Sequence, residues 1–299
     1  MEFVVNSNDN LKRIDSYLSA RFFDVSRSSF VKLIESGKVL VNNNRVQKKY
    51  IPNPGDVIRI VFENFDLNED NIIPKDIPID IIYEDDYIIV VNKQKGMVVH
   101  PAAGHLDDTL VNALKFHTSD LSDINSKIRP GIVHRLDKDT SGVLLVAKNN
   151  FVHEHLANQI KNKFAKRQYI GIVHGTLKCK KGKIDLPIGR DQKNRKKMSV
   201  TEKNSKHAVT NYEVIKSSKK YSFVKFLLET GRTHQIRVHL SKIGHPLAGD
   251  VLYGAAYDPR LHGQCLHAQK IGFIHPILDK YMEFYSKPPD EFLNFLKQI

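Results

Sequence analysis

At 299 residues the chain is long enough for more than one unit with its own core. Lys and Arg number 46 against 33 Asp and Glu, a formal net charge of +13, which points to a polyanionic partner and above all to nucleic acid. Two cysteines, Cys179 and Cys265, exclude a disulfide framework and have no Cys or His partner at zinc spacing. With no charged-then-apolar leader and no membrane-length apolar run, the expectation is a cytoplasmic protein without a membrane segment or a metal.

The N-terminal elements read as a small helix-hairpin module. Leu11, Ile14 and Leu18 recur at helical spacing. Ser26 is placed to cap a second helix carrying Phe30, Leu33 and Ile34, with Gly37 as its stop. Val39 and Val41 alternate as a strand, Asn42-Asn43-Asn44 offers a tight turn, and Pro54-Gly55 turns the chain into Val57-Ile58-Arg59-Ile60. Arg13, Arg21, Arg27, Lys32, Lys38 and Lys48 are candidates for one basic face. From Phe62 to Asn71 the charge turns acidic, as expected of a linker. The predicted boundaries are a first domain over 1–65, a linker over 66–78 and a second domain over 79–299.

Beyond the linker, Tyr87 to Val91 and Val143 to Ala147 read as buried strands. Phe151 to Phe164 reads as an amphipathic helix, and Tyr169 to Val173 and Phe223 to Leu228 as further strands. His234 to Ile243 reads as a helix ending at Gly244. Strands and helices mix without a strict βαβ repeat, which predicts an α+β fold with a mixed sheet.

The chain has no Walker loop, no dinucleotide fingerprint and no His-Glu-x-x-His pair, so nothing in it asks for ATP, NAD or a metal. What stands out is His134-Arg135-Leu136-Asp137-Lys138-Asp139-Thr140-Ser141-Gly142, an acid in a short polar loop against an apolar strand. A carboxylate held rigidly there can act as nucleophile or base. The alternative for such an Asp is capping a turn.

That segment resembles the signature of pseudouridine synthases of the ribosomal large-subunit type. Val91-Asn92-Lys93-Gln94-Lys95-Gly96 through His100-Pro101, Arg167-Gln168-Tyr169 through Gly175, and Glu229-Thr230-Gly231-Arg232-Thr233-His234-Gln235-Ile236-Arg237 through Asp250 resemble the same family in the same order. Val98 to Gly104 looks most like its type D branch. Val25 to Asn42, closing with Pro54-Gly55-Asp56, resembles the small RNA-binding domain named from ribosomal protein S4.

The resemblance implies a catalytic domain with a mixed, mostly antiparallel sheet, flanking helices and a central cleft. It implies cofactor-free isomerisation of uridine to pseudouridine in large-subunit ribosomal RNA, free or in an assembling subunit; a monomer is expected, though the sequence leaves the oligomeric state open. It makes Asp137 the catalytic carboxylate, leaving open whether it attacks sugar or base or first removes a proton. Tyr169 becomes the active-site aromatic and Arg232 the partner of Asp137, with Arg237 the competing candidate or a phosphate contact. Ile236 would wall the uracil pocket, and Arg135 would fill the gap left by a flipped base. Lys93, Arg195, Lys196, Lys197, Arg27 and Lys38 would contact RNA. His134, His234 and His239 read as structural hydrogen-bonding residues. Gln94 replaces a usual Pro, and Asp191-Gln192 a frequent His-Pro, both in loops. The competing functions are a non-catalytic RNA-binding assembly factor and a synthase acting on other rRNA or tRNA sites.

Overall fold

The computed structural model describes residues 1–7, 9, 12–22, 25, 27–61, 72–102, 104–124, 129–194, 196–297 and 299. Leu11, Ser26, Arg195 and the acidic stretch 62–71 lie outside the described residues. The chain divides into two compact units, Met1–Asn71 and Ile72–Ile299.

In the first unit, helices α1 (Ile14–Arg21) and α2 (Arg27–Glu35) lie with strands β1 (Glu2–Val4), β2 (Val39–Val41), β3 (Asn44–Arg45) and β4 (Val57–Ile60). The strands form an antiparallel sheet in the order β1-β4-β2-β3. Ile14, Leu18, Phe30 and Leu33 bury one face of the helices against Val39, Ile58 and Ile60. Asn42 and Asn43 adopt φ of 49° and 63°, the left-handed pair that a two-residue hairpin turn with the sheet's own twist requires.

The second unit is built on a sheet of nine strands, with helices on both of its faces. In chain order its elements are β5 (Asp80–Glu84), β6 (Ile88–Lys93), α3 (Leu110–His117), β7 (Ser141–Ala147), α4 (Asn150–Lys161), β8 (Lys166–His174), β9 (Lys181–Asp185), β10 (Ile188–Arg190), β11 (Met198–Val200), β12 (Val209–Ser217), β13 (Tyr221–Leu228), α5 (Gln235–Lys242), β14 (Leu266–Ile274), β15 (Tyr281–Tyr285) and α6 (Asp290–Leu296). The order is β5-β6-β7-β14-β8-β13-β12-β9, with β15 beside β14 and β10-β11 a separate hairpin. Only the β7–β14 contact is parallel among the described strand pairs. The fold is therefore α+β with a mostly antiparallel sheet, as expected.

The two-residue period of the strands decides what each helix covers. Ile88, Val90, Val143 and Leu145 face α4, which packs Val152 and Leu156 on them. Ile89, Val91, Leu144 and Val146 face the other way, toward Leu110 and Leu114 of α3. Tyr169 shares that second core with Ile236 and Leu240 of α5, while its neighbour Ile170 packs on the opposite face with Phe292 and Phe295 of α6. That alternation aims Tyr169 at the side of the sheet where the Asp137 loop sits. Among the described residues no helix is long and apolar enough to cross a membrane.

Candidate active site

The loop that carries Asp137 is fixed at both ends by the sheet. Upstream, Ile132 bridges to Val146, and the Leu145 N–H donates to His134 Nε2 at 3.0 Å. Accepting there commits His134 to its neutral form, and burial, with Arg167 nearby, lowers its pKa to about 3. The Thr140 N–H closes a tight turn on the Asp137 carbonyl at 3.1 Å. Downstream, Gly142 sits at φ +114°, where an added Cβ would lie 2.2 Å from the Ala268 carbonyl oxygen. Only glycine lets β7 and β14 meet immediately after the loop.

Lys93 supports the loop from below and corrects an expectation. It is 1% exposed, and its Nζ donates to the carbonyls of Gln94 (2.8 Å), Met97 (2.8 Å) and Lys138 (3.0 Å). These acceptors use all the N–H bonds of the ammonium, so Lys93 is not available to RNA. It ties the Gln94–Met97 turn to the Asp137 loop instead. Burial pulls its pKa down to about 7 against the pull of Asp139 and Asp137.

The Asp137 side chain is 16% exposed. Arg237 Nη1 donates to its Oδ2 at 3.3 Å, while Nε and Nη2 of the same guanidinium form a two-pronged pair with Asp250 at 2.7 and 2.8 Å. Burial works against the charge of Arg237, but the hydrogen bonds and charges of Asp250 and Asp137 outweigh it and raise its pKa. The guanidinium also lies over the Tyr253 ring, 4.9 Å from its centroid.

The partner of Asp137 is thus Arg237 and not Arg232. Arg232 precedes α5 in a loop that Gln235 locks by accepting from the Arg232 N–H (2.9 Å) and from Thr230 Oγ1 (2.7 Å). That loop sends the Arg232 Nε to the His207 carbonyl at 3.0 Å. Arg237, in the first turn of α5, reaches the Asp137 loop and Asp250 instead.

His234 enters α5 in the left-handed region, at φ 56°. Its Nδ1 is 2.8 Å from the Tyr253 hydroxyl, which accepts the Met198 N–H at 2.8 Å. The other ring nitrogen, Nε2, stands 3.9 Å from Asp137 Oδ1. Burial lowers the His234 pKa. His239 links Thr210 Oγ1 (2.9 Å) to the Leu186 carbonyl (3.0 Å), a structural role.

Asp137, Tyr169, Ile236 and Arg237 line one cleft of about 520 Å³ together with Arg167 and Arg232. The volume falls in the usual range of small-molecule sites. The Tyr169 hydroxyl has no hydrogen-bond partner among the described residues, and burial raises its pKa. Exposed Arg135 stands between this cleft and a second cavity of about 340 Å³, with Nη1 3.5 Å from His100 Nε2. Burial, with Arg135 and Arg129 adding, lowers the His100 pKa to about 4, which leaves Nε2 free to accept.

Other predicted contacts are spread more widely. Lys196 and Lys197 lie in the β10–β11 hairpin, and the Lys197 Nζ sits 5.4 Å from the Tyr253 ring centroid. In the first unit, Arg27 donates to Asp15 at 2.8 Å, as does Arg13 at 3.0 Å, and Lys48 pairs with Glu35 at 2.7 Å. The expected basic face is therefore partly neutralised. Lys38 is half-buried beside β2. Asp250, Tyr253 and Arg167 were not singled out by sequence. The only trace of Asp250 is its place at the end of the Gly244–Asp250 run.

Comparison with known proteins bears on this geometry. Residues 87–242 match the family profile of RNA pseudouridylate synthase, and residues 12–58 that of the S4 domain. The chain is 43% identical over 299 residues to an uncharacterized RNA pseudouridine synthase of Bacillus subtilis, covering all of this chain and 98% of that one. It is 47% identical over 236 residues to ribosomal large subunit pseudouridine synthase D of Zymomonas mobilis, covering 76% of this chain and 74% of that protein. Among solved structures, human RNA pseudouridylate synthase domain containing 1 aligns with a TM-score of 0.58 at 26% identity, covering 71% of this chain and 84% of that one.

Proposed function

Because the chain belongs to the RNA pseudouridine synthase family and carries an S4 domain, we propose that it isomerises specific uridines of large-subunit ribosomal RNA, with Asp137 as the catalytic carboxylate. The observation that carries this reading is the Asp137 carboxylate at the wall of a nucleotide-sized cleft, oriented by an Arg237 that Asp250 holds in place. The ribosomal target is supported by the name of the 47% identical Zymomonas mobilis relative.

In this reading a uridine leaves its stack and enters the cleft, where Tyr169 and Ile236 offer an aromatic and an aliphatic wall. Arg135, exposed at the cleft's edge, takes the space the base vacates. Asp137 acts on the seated nucleotide. The N-glycosidic bond breaks, the uracil turns, and a carbon–carbon bond forms from C5 to the same sugar carbon, while C5 gives up its proton and N1 takes one up. Atoms balance, since product and substrate are isomers. Arg237 keeps Asp137 aimed, and His234 Nε2 stands 3.9 Å from its other oxygen. The 1–65 domain holds the RNA through Arg27 and Lys38, and Arg195, Lys196 and Lys197 add phosphate contacts. The protein works as a monomer in the cytoplasm.

Pseudouridine mapping of large-subunit rRNA from cells with wild-type protein, Asp137→Asn protein or none tests this. The same sites are expected to vanish in both deficient strains, with purified Asp137→Asn slowed by about a thousandfold or more. Sites that persist with Asp137→Asn would remove Asp137 from the chemistry. An unchanged large-subunit map would move the substrate to another RNA.

A further inference from the structure

Arg167 is the unexplained charge of the cleft. Its side chain lies on the same face of β8 as Tyr169 and lines the same cleft. The residue is only 6% exposed, yet among the described residues its guanidinium has no hydrogen bond and no ion pair, and Nε is buried without a partner. Burial lowers the Arg167 pKa; the Tyr169 hydroxyl pulls it back up, and a second cation, Arg232, pushes it further down. Both acids that line the cleft are engaged elsewhere, Asp137 by Arg237 at 3.3 Å and Glu229 by Lys163 at 2.8 Å and Lys183 at 3.8 Å. The opposite wall is backbone, since a Cβ on Gly231 would come within 2.6 Å of Arg167 Nη1.

A buried charge with no counter-charge is among the costliest features a fold can keep. Kept inside a binding cleft, it calls for a ligand that brings the missing negative charge. A planar guanidinium fork matches the oxygens of a phosphate, and Arg232 and Lys161 on the same lining add to the positive field.

We propose that Arg167, with Arg232 beside it, forms a phosphate subsite that receives the RNA backbone phosphate adjoining the uridine seated over Asp137. The proposal rests on the synthase reading above. It gives the cleft two recognition ends, one for the reacting nucleoside and one for its phosphate. A free nucleoside would leave the second end unpaired, so the subsite favours nucleotides within a strand.

The test uses the full-length enzyme and an RNA stem-loop containing a uridine mapped as above. Tritium release from C5 measures isomerisation. Two further RNAs carry a neutral methylphosphonate at the phosphate on the 5′ or the 3′ side of that uridine. Arg167→Met is expected to lower kcat/KM roughly ten- to hundredfold, with Arg167→Lys in between. One of the two methylphosphonates should cost the wild type a similar factor and cost Arg167→Met almost nothing more, and its position names the phosphate. Without RNA, Arg167→Met should melt no lower than wild type, because it removes an unpaired buried charge; a merely structural arginine would give the reverse. Losses that multiply at both phosphates, with the wild type fully active, overturn the subsite alone. A wild type that isomerises no uridine in any RNA overturns the synthase reading, and the subsite with it.

Discussion

Arg237 and Arg167 are 7% and 6% exposed, line one cleft and differ in company. Arg237 is compensated, with Asp250 on one edge and Asp137 at the other. Arg167 forms an ion pair with no acid among the described residues, although Asp137 and Glu229 line the same cleft. A compensated buried arginine holds catalytic geometry whether or not substrate is present. An uncompensated one has its partner arriving from outside. The contrast separates the part of the cleft that is complete in the free protein from the part that RNA completes.

The largest effect that would break this contrast is expected from Asp250→Ala. It leaves Arg237 with Asp137 alone and should destabilise the second unit by about 3–5 kcal/mol in urea unfolding, with turnover falling as Asp137 loses its orientation. A cost no greater than that of an exposed substitution would show that Arg237 needs no compensation. Lys93→Met comes next. It strands the carbonyls of Gln94, Met97 and Lys138 and should cost about 1–3 kcal/mol, lowering kcat more than it raises KM because the loop, not the RNA contact, is loosened. A KM effect alone would return Lys93 to the RNA-binding surface.

The smallest effect concerns acid. His134 and His100 have folded pKa values of about 3 and about 4, below the ordinary value of 6.5. The unfolded chain therefore binds the protons first, so their contribution to stability is complete above pH 6.5 and is lost as pH falls toward 4 and then 3. Because the charge of Arg167 adds to the depression of His134, Arg167→Met should lose less stability over that window. Parallel acid titrations followed by circular dichroism would compare them; coincident curves would decouple the two residues.

Local patterns carried much of this architecture into the sequence. The apolar run after Asp137 became a fully buried strand because both sheet faces are covered. The asparagine turn, the helix over 234–243 and its Gly244 stop follow from conformational preferences that need no tertiary information. Arg237 had a readable sign as well: within a helix near His234 it shares a face with that residue, whereas Arg232 precedes the helix. What hid the pairing was Asp250, brought in by a chain reversal that no spacing rule reports. Lys93 was misread because lysine is ordinarily a surface residue, and only the fold supplies the carbonyls that take its protons. Strands β9 to β12, β14 and β15, and helices α3 and α6, went unread. Several are short or half-exposed, so their alternation is weak without the neighbours that complete it.

The glycine contact between β7 and β14 has a consequence for how this protein can vary. The chain between His134 and Gly142 runs between two fixed points, the Leu145 amide and the Ala268 carbonyl. The exposed Lys138 side chain, which among the described residues meets only His105 at 3.1 Å, can be exchanged at little cost to the fold. An added or deleted residue would have nowhere to go, because neither anchor can slide along its strand without turning every later side chain to the opposite face. The loop's two anchors thus fix its length more tightly than the identity of its exposed side chains.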